Sequence, residues 1–251
     1  MVFNQMRDAL AFYTRLPVAC AEAAPNFAAA SWPVAVAGAL IGACGGLFAE
    51  LLRAFGLSVE ISAVGALIAM ALLTGALHED GLADFVDGIG GGVDRGARLA
   101  IMRDSRLGSF GVLALVSSVL LRTFAIAEIM DFNVAGAVSL LCFVGAASRV
   151  AGLAPMVMLA PARSDGAGAG VRPPTRRAFA VAVGVVFLFG LLPAFAGVAL
   201  GRLFAAMFLA GAGALLVTIA ARRSISGYTG DVLGAAQQMA EIAALVAVCA
   251  R

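Results

Sequence analysis

Asp80, Asp84 and Asp87 stand at i, i+4 and i+7 between two apolar stretches. At 100° per residue they fall within about 60° of one another on a helix, so their carboxylates project together. Three clustered carboxylates repel unless a cation sits among them. Hard oxygen donors with room for water and phosphate suit Mg²⁺, with Mn²⁺ as the alternative, better than zinc. The same stretch, Thr74 to Gly111, also holds His78, Glu79, Asp94 and Asp104 with Arg95, Arg98, Arg103 and Arg106. Arg103 and Arg106, three apart, are expected to share a helix face and clamp phosphate oxygens in a fork geometry. Gly81 and Gly88 are expected to loosen the helix so that a bulky substrate can approach its backbone. Gly90, Gly91 and Gly92 read as a flexible turn between two helices.

Further polar residues lie outside this stretch. His78, the only histidine, is placed either to orient a nucleophile or to rest at an interface. Arg149 falls inside an apolar span, where insertion is unfavourable by about 2.5–3.5 kcal/mol, so a polar cavity or an acidic partner is expected around it. Arg122 reads as a snorkelling residue near a span end. Thr229 and Asp231 bring a hydroxyl and a carboxylate to the same side of the chain, Asp231 with a helix N-cap as its plainer role. Glu241 lies nearly three turns further on.

The elements that must position these groups are membrane helices. Hydrophobic residues make up 62% of the 251-residue chain and charged ones 13%, against about a quarter charged in soluble domains. Mean hydropathy is +1.01. Seven apolar segments, roughly 31–52, 58–78, 109–130, 133–159, 178–199, 201–221 and 232–250, are each long enough for a bilayer core of about 30 Å. Their continuous apolar character favours helices over barrel strands. The expected fold is an all-α, polytopic bundle of about seven transmembrane helices in one domain, 1–251. An amphipathic helix over the first residues is expected to lie at the interface. All seventeen basic residues are arginine. Twelve of them fall on one side of the seven-span arrangement, which predicts a cytoplasmic N-terminus and a cytoplasmic charged cluster.

The net charge of +2 is too small to argue for nucleic acid. Cys20, Cys44, Cys142 and Cys249 have no ligand-like or disulfide-framework spacing. Gly38, Gly42 and Gly46 form two GxxxG steps, suited to packing within one subunit or between two, so a homo-oligomer stays open. A cation transporter would line a transbilayer path with acids. Here most acids crowd one loop, which favours a surface-facing enzyme site.

Together these residues resemble the cobalamin synthase family, the adenosylcobinamide-GDP ribazoletransferases. The resemblance rests on Thr74-Gly75 through Gly88, Leu99 through Gly111, Thr229 through Ala235, and Phe12-Tyr13-Thr14-Arg15-Leu16-Pro17. Ser226 and Gln238 depart from it, standing where glycine and an acidic residue are common. It implies a bacterial inner-membrane enzyme that joins adenosylcobinamide-GDP to α-ribazole or its 5′-phosphate and releases GMP, with Mg²⁺. The expected metal ligands are Asp80, Asp84 and Asp87. Asp84 or Asp87 is the expected proton acceptor, with His78 beside them. Arg103, Asp104, Ser105, Arg106, Arg149, Thr229 and Asp231 are the expected substrate contacts.

Overall fold

The computed structural model describes residues 2–18, 26–28, 30–104, 106–164 and 171–250. It is all-helical, with two isolated bridges and no strand among the described residues. The helices are α1 (Val2–Tyr13), α2 (Trp32–Ala54), α3 (Val59–Thr74), α4 (Leu77–Gly91), α5 (Arg95–Ile101), α6 (Ser109–Ile129), α7 (Val134–Ala151), α8 (Ala154–Met158), α9 (Arg176–Phe195), α10 (Leu200–Ile225) and α11 (Gly230–Cys249). Side chains satisfy several of the orphan amides at their starts. Asn133 accepts from Gly136 N at 2.9 Å, Thr175 from Ala178 N at 3.1 Å and Asp94 from Ala97 N at 2.8 Å.

Six helical segments, α2, α6, α7 with α8, α9, α10 and α11, are long and apolar enough to cross a membrane. The second expected span, 58–78, is different. Helix α3 stops at Thr74 after 16 residues, about 24 Å of rise and short of a bilayer core. Gly75 and Ala76 then both adopt left-handed backbone, at φ of 66° and 55°. The chain turns through 90° into α4, so seven spans are reached only if this bent pair counts as one. The Arg15 side chain lies against this turn, its Nε 2.2 Å from where a β-carbon on Gly75 would stand.

Glycines set the closest helix contacts. A β-carbon on Gly38 would meet Gly145 O at 2.2 Å, and one on Gly42 would meet Leu141 O at 1.9 Å. The GxxxG stripe therefore packs α2 onto α7 within one subunit. Large apolar residues such as Leu113 and Phe124 on α6, Leu188 on α9, and Phe204, Phe208 and Leu216 on α10 point outward. In water such a surface would be a liability, and it suits lipid. The amphipathic α1 packs on α2, buries Ala9 and Tyr13 and leaves Phe3 exposed.

Candidate active site

Helix α4, the second arm of the bent pair, packs against the starts of α6 and α11. Two contacts fix it there. Gly81 faces Gly234, where a β-carbon would come within 3.1 Å of the other residue's Cα. Asp87, 7% exposed, accepts from Gly108 N at 2.7 Å and Gly111 N at 2.8 Å. Gly108 is the N-cap of α6, so this carboxylate satisfies orphan amides and meets the positive end of the helix dipole. The expected ligand trio is revised accordingly: all three aspartates lie on one helix, but Asp87 serves α6. Gly81 and Gly88 are also filled by protein, Gly88 by Met102, and do not open the backbone to substrate.

Much of the remaining charge holds backbone. Arg95 donates to Ile225 O at 2.9 Å and Ala162 O at 2.7 Å. Arg98 donates to Gly92 O at 3.0 Å and Ser224 O at 3.1 Å. These bonds tie α5 to the end of α10, where Ser226 takes left-handed backbone at φ 56°. Glycine would adopt that conformation without strain, which explains physically why glycine suits the position.

What stays open is a rim of three carboxylates from two distant parts of the chain. Asp80 is exposed, and Asp84 and Asp231 are half-buried. Asp231 sits in the first turn of α11; Thr229 is that helix's N-cap, accepting from Val232 N at 3.4 Å. Thr229 Oγ1 also donates to Asp231 Oδ2 at 3.0 Å, and Arg163 lies 3.5 Å from the same oxygen. Partial burial pushes the Asp84 carboxyl up to about 7, helped by the charges of Asp80, Asp231 and Asp87 and opposed by Arg163. No group of three His, Cys, Asp or Glu side chains forms a ready metal cage among the described residues. An acid-rich rim of hard oxygens still fits Mg²⁺, which is commonly held by one or two carboxylates plus substrate phosphates.

Beside the rim is a cavity of about 190 Å³ lined by α1, α4, the α7–α8 break and the start of α11. His78, 4% exposed, forms part of its wall and stacks on Tyr13 at 5.7 Å between ring centroids and 10° between planes. Burial, and then the charge of Arg149, pulls the imidazole down to about 3, so it is neutral.

Below the rim, in the centre of the bundle, four charges pair. Arg122 donates to Glu79 Oε1 at 3.0 Å and to Glu241 Oε1 at 3.1 Å, and Arg149 donates to Glu241 Oε2 at 2.9 Å. Gln237 reaches Glu241 Oε2 at 2.6 Å, and Gln238 reaches Glu79 Oε1 at 3.2 Å. Arg122 is 4% exposed. The snorkelling reading is therefore wrong, because its guanidinium has two carboxylates inside the bundle and needs no interface. Arg149 has the expected acidic partner, and it also lines the cavity.

A profile of the cobalamin-5-phosphate synthase family matches residues 5–249. The chain belongs to that family. It is similar to the adenosylcobinamide-GDP ribazoletransferase of Bradyrhizobium diazoefficiens, 40% identical over 99% of this chain and 94% of the relative. Proteins of the same description from Azorhizobium caulinodans and Mesorhizobium japonicum are 40% and 41% identical. Those alignments cover 96% and 98% of this chain, and 93% and 92% of the relatives. No solved structure matches.

In this family member the loop after α5 departs from expectation. Helix α5 ends at Ile101, so Arg103 and Arg106 do not share a helix face. Both are exposed, and Arg106 is held by Asp104, donating to its oxygens at 3.0 and 3.1 Å. That pairing keeps the Asp104 carboxyl down at about 2. Ser105 lies outside the described residues. Sequence reasoning missed Glu79, Gln237 and Gln238. The available signal was charge balance, since Arg122, Arg149 and Glu241 all fall within apolar spans and intramembrane ions seek partners.

Proposed function

We propose that this chain is a membrane transferase joining adenosylcobinamide-GDP to α-ribazole, or to α-ribazole 5′-phosphate, with release of GMP. The observation that carries the reading is the rim itself. Asp80 and Asp84 from α4 and Asp231 from α11 converge at the span ends beside a cavity, in a chain whose relatives bear that activity in their names. The arginine bias supports a rim facing the cytoplasm of a bacterial inner membrane.

In the reaction a ribose hydroxyl oxygen forms a bond to the phosphorus attached to the cobinamide arm. The bond from that phosphorus to the bridging diphosphate oxygen breaks, and GMP leaves. Such transfers depend on positioning and charge neutralisation. Asp80 and Asp231 would hold Mg²⁺, which supplies positive charge against the diphosphate. Asp84 takes the hydroxyl proton on its carboxylate oxygen. It is preferred to Asp87 because the oxygens of Asp87 already accept two amide hydrogens. Arg103 and Arg106 on the exposed loop add positive charge for the nucleotide phosphates. His78, neutral and stacked, shapes the cavity wall.

The deciding experiment supplies the purified protein with adenosylcobinamide-GDP, α-ribazole and Mg²⁺ and follows GMP and the cobalamin product. Formation of both in equal amounts is expected. No product from folded protein would overturn the assignment.

A further inference from the structure

Resting on that reading, we propose that the cavity beside the rim seats the planar heteroaromatic base of the acceptor nucleoside. Three rings from the N-terminal segment wall it. Phe12 stands edge-on to Tyr13 at 5.0 Å and to Phe27 at 5.7 Å, with interplanar angles of 78° and 88°. Tyr13 in turn stacks on His78. Aromatic walls of this kind favour a flat π-system over a branched or charged group. The volume of about 190 Å³ is below the roughly 300–1,000 Å³ of drug-sized sites. It holds one ring system and excludes a corrinoid.

Arg149, held by Glu241, also lines the cavity. Arg149 is 3% exposed, and its Nε has no hydrogen-bond partner among the described residues. Asp80 and Asp231 line the same cavity at its charged end. A base seated against these rings therefore delivers its ribose to the carboxylate rim. This gives Phe12-Tyr13, in the opening motif of the chain, a part in choosing the acceptor.

The test measures binding of labelled α-ribazole to the full-length protein in detergent by equilibrium dialysis, without the second substrate. Steady-state KM values for both substrates are measured in parallel. Saturable binding to wild type is expected. Phe27→Leu removes a ring without adding bulk and should weaken binding and raise KM for α-ribazole about tenfold. KM for adenosylcobinamide-GDP should stay within about twofold, and Phe27→Tyr should restore binding. Met156→Trp, which fills the cavity, should abolish binding while leaving an intact thermal unfolding transition. Unchanged α-ribazole binding in both Phe27→Leu and Met156→Trp, or an equal rise in both KM values, would overturn the pocket. Failure of the transferase reading looks different: α-ribazole would bind and respond to Phe27→Leu, yet no cobalamin would form.

Discussion

Glu79 and Asp80 are neighbours in sequence and belong to two opposite kinds of charge cluster. Glu79 turns into the bundle, where with Glu241 it faces Arg122 and Arg149, two acids against two bases. Asp80 turns to the rim, where it joins Asp84 and Asp231, and Arg163 is the basic group paired with Asp231 there. The inner cluster neutralises itself and is locked by glutamine and serine hydrogen bonds. The outer one keeps an excess of negative charge, felt at Asp84. Balanced charge deep in a bundle holds helices in register. Unbalanced charge at its mouth is disposed to bind a cation. Composition alone does not separate the two, because both are carboxylates within one turn of α4.

The most severe way to break the comparison is to unbalance the inner cluster. Arg122→Leu leaves Glu79 and Glu241 short of a partner, and removing one member of a buried pair destabilises by about 3–5 kcal/mol. Loss of folded protein in detergent is expected, and Arg122→Leu combined with Glu241→Gln should recover part of it. A single variant that unfolds at the wild-type temperature would show that the inner cluster is not structural.

Next in size is a contrast within α4. Asp80→Asn should fold normally and need at least about tenfold more Mg²⁺ for half-maximal rate. Asp87→Asn should do the reverse, lowering stability by about 1 kcal/mol through the weakened α6 cap with little change in Mg²⁺ requirement. Mg²⁺ titrations and thermal unfolding of both variants read the two effects separately. If the two behaved alike, the division between rim and cap would fail.

A pH–rate profile sharpens the rim further. Asp84 is raised to about 7, so its carboxyl is protonated and unable to accept a proton below that value. The rate should fall about tenfold for each pH unit below 7. Added Mg²⁺ stabilises the carboxylate and should move this limb to lower pH; a limb indifferent to Mg²⁺ would place the titrating group elsewhere. The smallest effect is expected at Arg106, whose side chain is 87% exposed beside Asp104. An exposed pair contributes little, so Arg106→Lys should raise KM for the GDP substrate by less than about threefold and leave folding unchanged. A loss of a hundredfold would show that the fork geometry of Arg106 grips phosphate directly.

Much of this could be read from the chain alone. Runs of apolar residues dictated helices, because backbone amides in lipid must be satisfied within the segment. Spacing put Asp80, Asp84 and Asp87 on one helix, and the motifs around them pointed to the family. Apolar pattern ran one span from 58 to 78 straight through Gly75, and gave no sign that Gly75 and Ala76 would take left-handed backbone and send α4 off at 90°.

Tertiary structure decided the division of labour among the charges. Periodicity places residues on a face without saying what that face meets. Asp87 became a cap because the start of α6 lies against it, and Arg122 became an internal partner because Glu79 and Glu241 arrive from α4 and α11. Asp231, 151 residues beyond Asp80, entered the rim because Gly81 and Gly234 let two backbones touch. Side-chain type and spacing are local properties, so the sequence by itself determined the helices and the kinds of chemistry available. Which carboxylates are neutralised and which stay open depends on groups brought together from distant parts of the chain, and only packing supplies that.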